Sequence, residues 1–170
     1  TIAGSDSGGG AGIQADIKTM LANGVYAMSA ITAMTAQNTT GVTAIMNATP
    51  EFLAQELECV FDDIPPDAVK IGMVSDRELI CVISEKLKEY RASNIVVDPV
   101  MGDYGNLYAT YTKETCEEMK KLVSYANILT PNLTEACILT GREYNAEYGN
   151  EELEIIAKQL SDMGPSKIVI

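Results

Sequence analysis

Short β-branched runs recur along this chain between longer segments of helical period, an alternation that narrows the fold to a parallel sheet flanked by helices. The predicted strands are Thr1–Ala3, Met28–Thr35, Ala68–Ile71, Asn94–Asp98, Asn127–Thr130 and Lys167–Ile170. Most are apolar throughout, as burial of a parallel sheet on both faces requires. Thr49-Pro50-Glu51 opens a helix with Thr as cap and Pro in the first turn, and Phe52, Leu53, Leu57, Val60 and Phe61 mark one face of it. Leu79, Ile83, Leu87 and Tyr90 repeat the pattern in a helix starting near Asp76, Cys116, Met119, Leu122 and Val123 in a third, and Leu153, Ile156, Ala157 and Leu160 in a fourth. Gly24, Gly141 and Gly164 stand where helices should stop. Val42–Asn47 is a β-prone excursion, expected as an extra strand at the rim. The pattern predicts a single α/β domain over residues 1–170, a doubly wound and mostly parallel sheet. Thr1-Ile2-Ala3 reads as the tail of a strand, and Lys167-Ile168-Val169-Ile170 stops inside another, so this domain is expected to be incomplete at both ends.

Composition removes several functions. A chain of 170 residues that is 46% hydrophobic can bury one core. No apolar run approaches the roughly 20 residues of a membrane span, and no signal-peptide pattern opens the chain, so no membrane contact and a cytoplasmic location are expected. With 24 acids against 12 bases and a net charge of −12, nucleic acid is an unsuitable partner. Small phosphate ligands stay open to it, because backbone N–H groups, helix N-termini and a bridging Mg²⁺ can hold them. The chain has no histidine, and Cys59, Cys81, Cys116 and Cys137 form no C-x-x-C pair. That excludes the common zinc sites and the Ser-His-Asp and Cys-His nucleophiles.

Gly4-Ser5-Asp6-Ser7-Gly8-Gly9-Gly10-Ala11-Gly12-Ile13-Gln14-Ala15-Asp16 follows a strand and runs into a helix, with five glycines that let backbone approach a ligand. It is not a Walker A loop, since the nearby Lys18-Thr19 is preceded by Ile17. Gly10-Ala11-Gly12-Ile13-Gln14-Ala15 fits G-x-G-x-x-A, but no acid occurs from Ile17 to Pro50 to hold a dinucleotide ribose. Ala36-Gln37-Asn38-Thr39-Thr40-Gly41 is a polar cluster after a strand, where Gln37 offers a donor and an acceptor in one plane, suited to an aminopyrimidine edge. Asp98-Pro99-Val100-Met101-Gly102-Asp103 and Thr130-Pro131-Asn132-Leu133-Thr134-Glu135 end later strands, which puts oxygen ligands for a hard cation at the same edge. By itself, Asn132 three residues before Glu135 also reads as a helix cap and its partner.

Taken in order, the first glycine stretch, Ala36-Gln37-Asn38-Thr39, Lys70-Ile71-Gly72-Met73, Asp98-Pro99-Val100-Met101 and Thr130-Pro131-Asn132-x-x-Glu135 resemble the hydroxymethylpyrimidine/phosphomethylpyrimidine kinases of the ribokinase-like superfamily over the whole chain. The resemblance implies ATP and Mg²⁺ as cofactors, and phosphorylation of a hydroxymethylpyrimidine and then of its monophosphate. It implies that Gly4, Ala11, Asp16, Thr35, Gln37, Met73 and Val100 line the pyrimidine pocket, that Asn132 and Glu135 lie near the nucleotide phosphates, and that Glu135 and Asp98 serve Mg²⁺. Gly102-Asp103-Tyr104-Gly105-Asn106-Leu107-Tyr108 instead resembles a segment of pyridoxal and pyridoxamine kinases that covers ATP. That makes Asp103 and Tyr108 nucleotide contacts and a pyridine vitamin the alternative substrate. The superfamily's segment with the catalytic base lies C-terminal to the strand at Ile170, so the chain is expected to be C-terminally truncated and no catalytic residue is assigned within it. Relatives in this superfamily are often homodimers.

Overall fold

The computed structural model describes residues 1–170. In chain order the elements are β1 (Ile2–Asp6), α1 (Gly12–Ala22), β2 (Ala30–Asn38), β3 (Gly41–Asn47), α2 (Pro50–Asp63), β4 (Val69–Ile71), α3 (Arg77–Glu89), β5 (Ile95–Val97), β6 (Gly102–Asp103), β7 (Asn106–Leu107), α4 (Lys113–Val123), β8 (Ile128–Leu129), α5 (Leu133–Thr140), α6 (Asn150–Ser161) and β9 (Lys167–Ile168). Seven strands form one sheet in the order β3-β2-β1-β4-β5-β8-β9. All neighbours run parallel except β3, which returns antiparallel along β2 at the edge. The run at 42–47 is thus a rim strand, as its composition predicts.

Helix starts follow their caps. The Thr49 hydroxyl accepts the Phe52 N–H, the Asp76 carboxylate accepts the Glu78 N–H, and the Thr112 hydroxyl accepts the Thr115 N–H. On α3, Leu79, Ile80, Ile83 and Leu87 are all buried. At about 1.5–3 kcal/mol for each fully buried aliphatic side chain, that face does more to hold the helix than its propensity does. One residue departs from the predicted face of α2: Leu53, Leu57 and Phe61 are buried, but Phe52 points to solvent. The stripe that meets the sheet is narrower than the run of apolar letters.

Side-chain alternation on the short central strands separates two environments. Val69 and Ile71 of β4, Ile95 and Val97 of β5 and Leu129 of β8 join the main core with residues of α2, α3 and α4. Lys70, between Val69 and Ile71, projects from the other face of the sheet toward α1. Two segments extend further than their composition suggests. β1 runs on through Gly4, Ser5 and Asp6, and β2 continues past Thr35 to Asn38 with a register shift between Ala36 and Gln37. The predicted polar turn at 36–41 is therefore the end of a strand and a tight hairpin into β3. The hairpin of β6 and β7 is not signalled by alternation, because it contains only two residues on each side.

Candidate functional site

Parallel strands deliver their C-terminal ends to one rim, and at that rim lies a cleft of about 730 Å³. Of the residues singled out in the sequence, Gly4, Ala11, Thr35, Gln37, Met73, Val100, Asp98 and Tyr108 line it. Val42 to Ile45 of β3 and Tyr111 complete the wall. Asp16, Asp103, Asn132 and Glu135 are not in the lining. A second cavity of about 690 Å³, around Tyr26, Phe61 and Ile64, collects none of the predicted site residues.

The glycine stretch is organised by Asp6, which sequence reasoning missed. Its carboxylate accepts the N–H groups of Gly8 at 2.7 Å and of Gly10 and Ala11 at 2.9 Å each. Burial pushes the Asp6 carboxyl up, but the N–H donors of Gly8, Ala11, Gly10 and Gly9 outweigh it and hold it below its ordinary value. These N–H groups are spent on Asp6, so the loop is no open anion cradle. It is a rigid wall. The signal was present as an Asp ahead of small residues, the Asx-turn pattern. Gln14 locks the same loop, its Oε1 accepting the Asp6 N–H at 2.8 Å and its Nε2 donating to the Ser5 hydroxyl at 2.7 Å.

Gln37 is placed by Ser7, also missed. The Ser7 hydroxyl accepts the Gln37 N–H at 2.8 Å and donates to the Gln37 carbonyl at 2.7 Å. The backbone is clamped at the register shift, and the side chain is left for a ligand: only Thr35 Oγ1 approaches Oε1, at 3.3 Å, while that hydroxyl bonds the Ser5 carbonyl at 2.9 Å. Asp16 does not face the cleft. Its Oδ2 lies 3.1 Å from the Lys70 ammonium, and it is Lys70 that lines the cleft, with Asp98 Oδ2 at 3.8 Å on its other side. Asp98 is the more exposed acid, with 37% of its side chain accessible. Burial raises its pKa, Lys70 lowers it and Asp16 raises it, for a net rise.

Asn132 and Glu135 form the capping box of α5 that their spacing allowed. Asn132 Oδ1 accepts the Glu135 N–H at 3.0 Å, and Glu135 Oε2 accepts the Asn132 N–H at 2.8 Å. Both also reach across to the loop after β5: Glu135 Oε1 accepts the Met101 N–H at 3.1 Å, and Asn132 Nδ2 donates to the Gly102 carbonyl at 2.9 Å. Glu135 is 3% exposed, and burial, with a further push from Asp98 against the backbone donors, raises its pKa to about 7. The pair therefore ties the Asp98 loop and the β6–β7 hairpin to α5. The hairpin is pinned again where Thr134 Oγ1 accepts the Gly105 N–H at 2.9 Å. Asp103 folds back to accept the Tyr104 N–H at 2.8 Å, away from the lining.

As a cation site, this donor set is sparse, since no three acidic or thiol groups come together. It fits a Mg²⁺ ion that keeps most of its shell as water and phosphate oxygen and takes one or two carboxylates from the protein.

A mostly parallel α/β sheet with a ligand-sized cleft at its C-terminal rim, walled by an antiparallel edge strand, is the architecture of the ribokinase-like small-molecule kinases. The family model described as phosphomethylpyrimidine kinase matches residues 6–170, and the chain belongs to that family. A hydroxymethylpyrimidine/phosphomethylpyrimidine kinase of Bacillus subtilis is 42% identical over 170 residues, all of this chain and 62% of that protein. The crystal structure of a phosphomethylpyrimidine kinase from Clostridium difficile superposes with a TM-score of 0.90 at 45% identity, over 98% of this chain and 71% of that one. An ADP complex of Bacillus subtilis pyridoxal kinase superposes at 0.87 with 31% identity, over 98% of this chain and 62% of that one. The chain spans about a third to three fifths of the length of the curated relatives it matches. No helix is long and apolar enough to cross a membrane.

Proposed function

We propose that this protein is an ATP- and Mg²⁺-dependent kinase that phosphorylates 4-amino-5-hydroxymethyl-2-methylpyrimidine and then its monophosphate, in thiamine biosynthesis. The observation that carries the reading is the cleft itself: Gly4, Ala11, Thr35, Gln37, Met73 and Val100, scattered from position 4 to position 100 of the chain, line one cavity together with Asp98. A flat ring can lie against Met73, with the free Gln37 amide offering a donor and an acceptor to an aminopyrimidine edge. The names of the relatives support the pyrimidine.

In this reading Asp98 and Glu135 are the residues that would serve Mg²⁺, Asp98 lining the cleft and Glu135 buried in the first turn of α5. Asn132, Asp103 and Tyr108 serve the nucleotide side. Bound Mg²⁺ would neutralise charge on the transferring phosphate oxygens. The chain's own contribution is positioning, through the Asp6-braced wall and the Ser7-clamped Gln37. We assign no general base among these residues.

A pyridine vitamin is the second reading, favoured by the segment from Gly102 to Tyr108 and by neighbours that include a pyridoxal kinase solved with pyridoxal. Turnover measured side by side with hydroxymethylpyrimidine and with pyridoxal separates the two. Preference for pyridoxal reverses the ranking. Gln37→Ala is expected to weaken hydroxymethylpyrimidine binding about 10-fold, the loss of one or two neutral hydrogen bonds, and to leave affinity for a non-hydrolysable ATP analogue unchanged. Calorimetric titration with each ligand checks this, and unaltered pyrimidine affinity removes Gln37 from the pocket.

A further inference from the structure

We propose that Lys70 selects the phosphorylated form of the substrate, its ammonium binding the phosphomonoester of the monophosphate in the second phosphorylation. This rests on the pyrimidine kinase reading above. Lys70 leaves β4 on the face opposite the main core, and its stem runs along the sheet toward the rim, not outward to solvent. Gly72 makes that path available: a Cβ there would lie 2.7 Å from Lys70 Nζ and 3.0 Å from the Ala3 Cβ. The head group arrives with only 23% of the side chain exposed, 3.1 Å from Asp16 Oδ2. Asp98 Oδ2, at 3.8 Å, is too far for a hydrogen bond. An ammonium has three donors, and Asp16 occupies one, so others remain for a ligand in the cleft that Lys70 lines.

Charge says which ligand. Lys70 is the one Lys or Arg in the lining, against the carboxylates of Asp6 and Asp98. Asp6 is already met by backbone donors, which leaves Asp98 facing whatever enters. A neutral pyrimidine alcohol needs no cation there, because the Gln37 amide can hold its ring. A phosphomonoester carries about −1.5 to −2 charges at neutral pH, and Lys70 is the one cationic side chain of the lining that can meet it. In this arrangement Asp16, behind the lysine, aims the ammonium and does not touch the ring.

Binding of hydroxymethylpyrimidine and of its monophosphate, each titrated into wild type, Lys70→Met and Lys70→Arg, tests this. Lys70→Met should weaken the monophosphate about 10- to 100-fold, as loss of a charged hydrogen bond does, and leave the alcohol unchanged. Lys70→Arg should restore most of the monophosphate affinity. Equal losses for both ligands, or no loss for the monophosphate, overturn the assignment and leave Lys70 as a neutraliser of its two acids. Should Lys70→Met fail to fold, wild type decides: raising salt from about 50 to about 500 mM should weaken the monophosphate but not the alcohol. Identical salt dependence overturns the proposal. A wild type that binds neither ligand refutes the pyrimidine reading itself, and Lys70's role falls with it.

Discussion

Gly12→Ala is expected to cost about 2–4 kcal/mol of stability and to abolish binding of the pyrimidine, through overpacking and a strained backbone together. Gly12 has φ +55°, and a Cβ there would sit 2.2 Å from the Gly4 carbonyl oxygen and 3.2 Å from its carbon. Neither side can yield easily. Gly4 is in β1, hydrogen-bonded between β2 and β4 near the middle of the sheet, and Gly12 is the first residue of α1. The clash therefore pushes α1 away from β1 and opens the wall that carries Ala11. Gly10, two residues earlier, is a control: a Cβ there meets nothing nearer than Asp6 Oδ2 at 3.9 Å. Gly10→Ala keeps the N–H that Asp6 accepts and should shift stability by no more than about 0.5 kcal/mol. Urea unfolding of both variants, with pyrimidine titration of each, checks the pair. Equal behaviour would mean that the loop is a flexible run of small residues and not a braced wall.

Glu135 should make stability fall as pH rises through neutrality. Its folded pKa is raised from 4.5 to about 7. The unfolded chain then releases its proton first, so the native state binds more protons between those values. The contribution is fully present below pH 4.5 and is lost as pH climbs through about 7. At 1.36 kcal/mol per unit, the loss between about pH 5 and pH 8 is at most about 3 kcal/mol, and burial leaves little solvent to screen it. Glu118 and Glu114, whose pKa values are lowered, act below that window and do not mask it. In Glu135→Gln, which does not titrate, the pH 5-to-8 slope from urea midpoints should shrink by most of that amount. Parallel wild-type and mutant slopes would show that Glu135 titrates normally, and that the loop after β5 is not gripped by a buried carboxyl.

The cleft was largely legible beforehand because its residues sit at strand ends, and parallel strands must bring those ends to one edge. Gly4, Thr35, Gln37, Met73, Asp98 and Val100 needed only that rule and the family resemblance. Glu135 was half legible. Its spacing from Asn132 announced a capping box, and the structure bears that out, but nothing local showed that Met101 would take its other oxygen. Asp16 was assigned to the pocket and instead reaches it through Lys70. Asp16 Oδ2 accepts both the Thr1 hydroxyl and the Lys70 ammonium, donors that the fold brings to it from 15 and 54 positions away in the chain.

The alternation of apolar runs and helical faces determined the α/β class, the approximate places of its main strands and helices, and the rim on which any ligand would sit, since period and capping are set by residues within a turn of one another. Tertiary structure alone decided the strand order, the turning out of Phe52, the extension of β2 to carry Gln37, and the pairings of Ser7 with Gln37 and of Lys70 with Asp16. Those depend on which backbone donors and charges are left unpaired once distant segments come together, and local sequence holds no record of that.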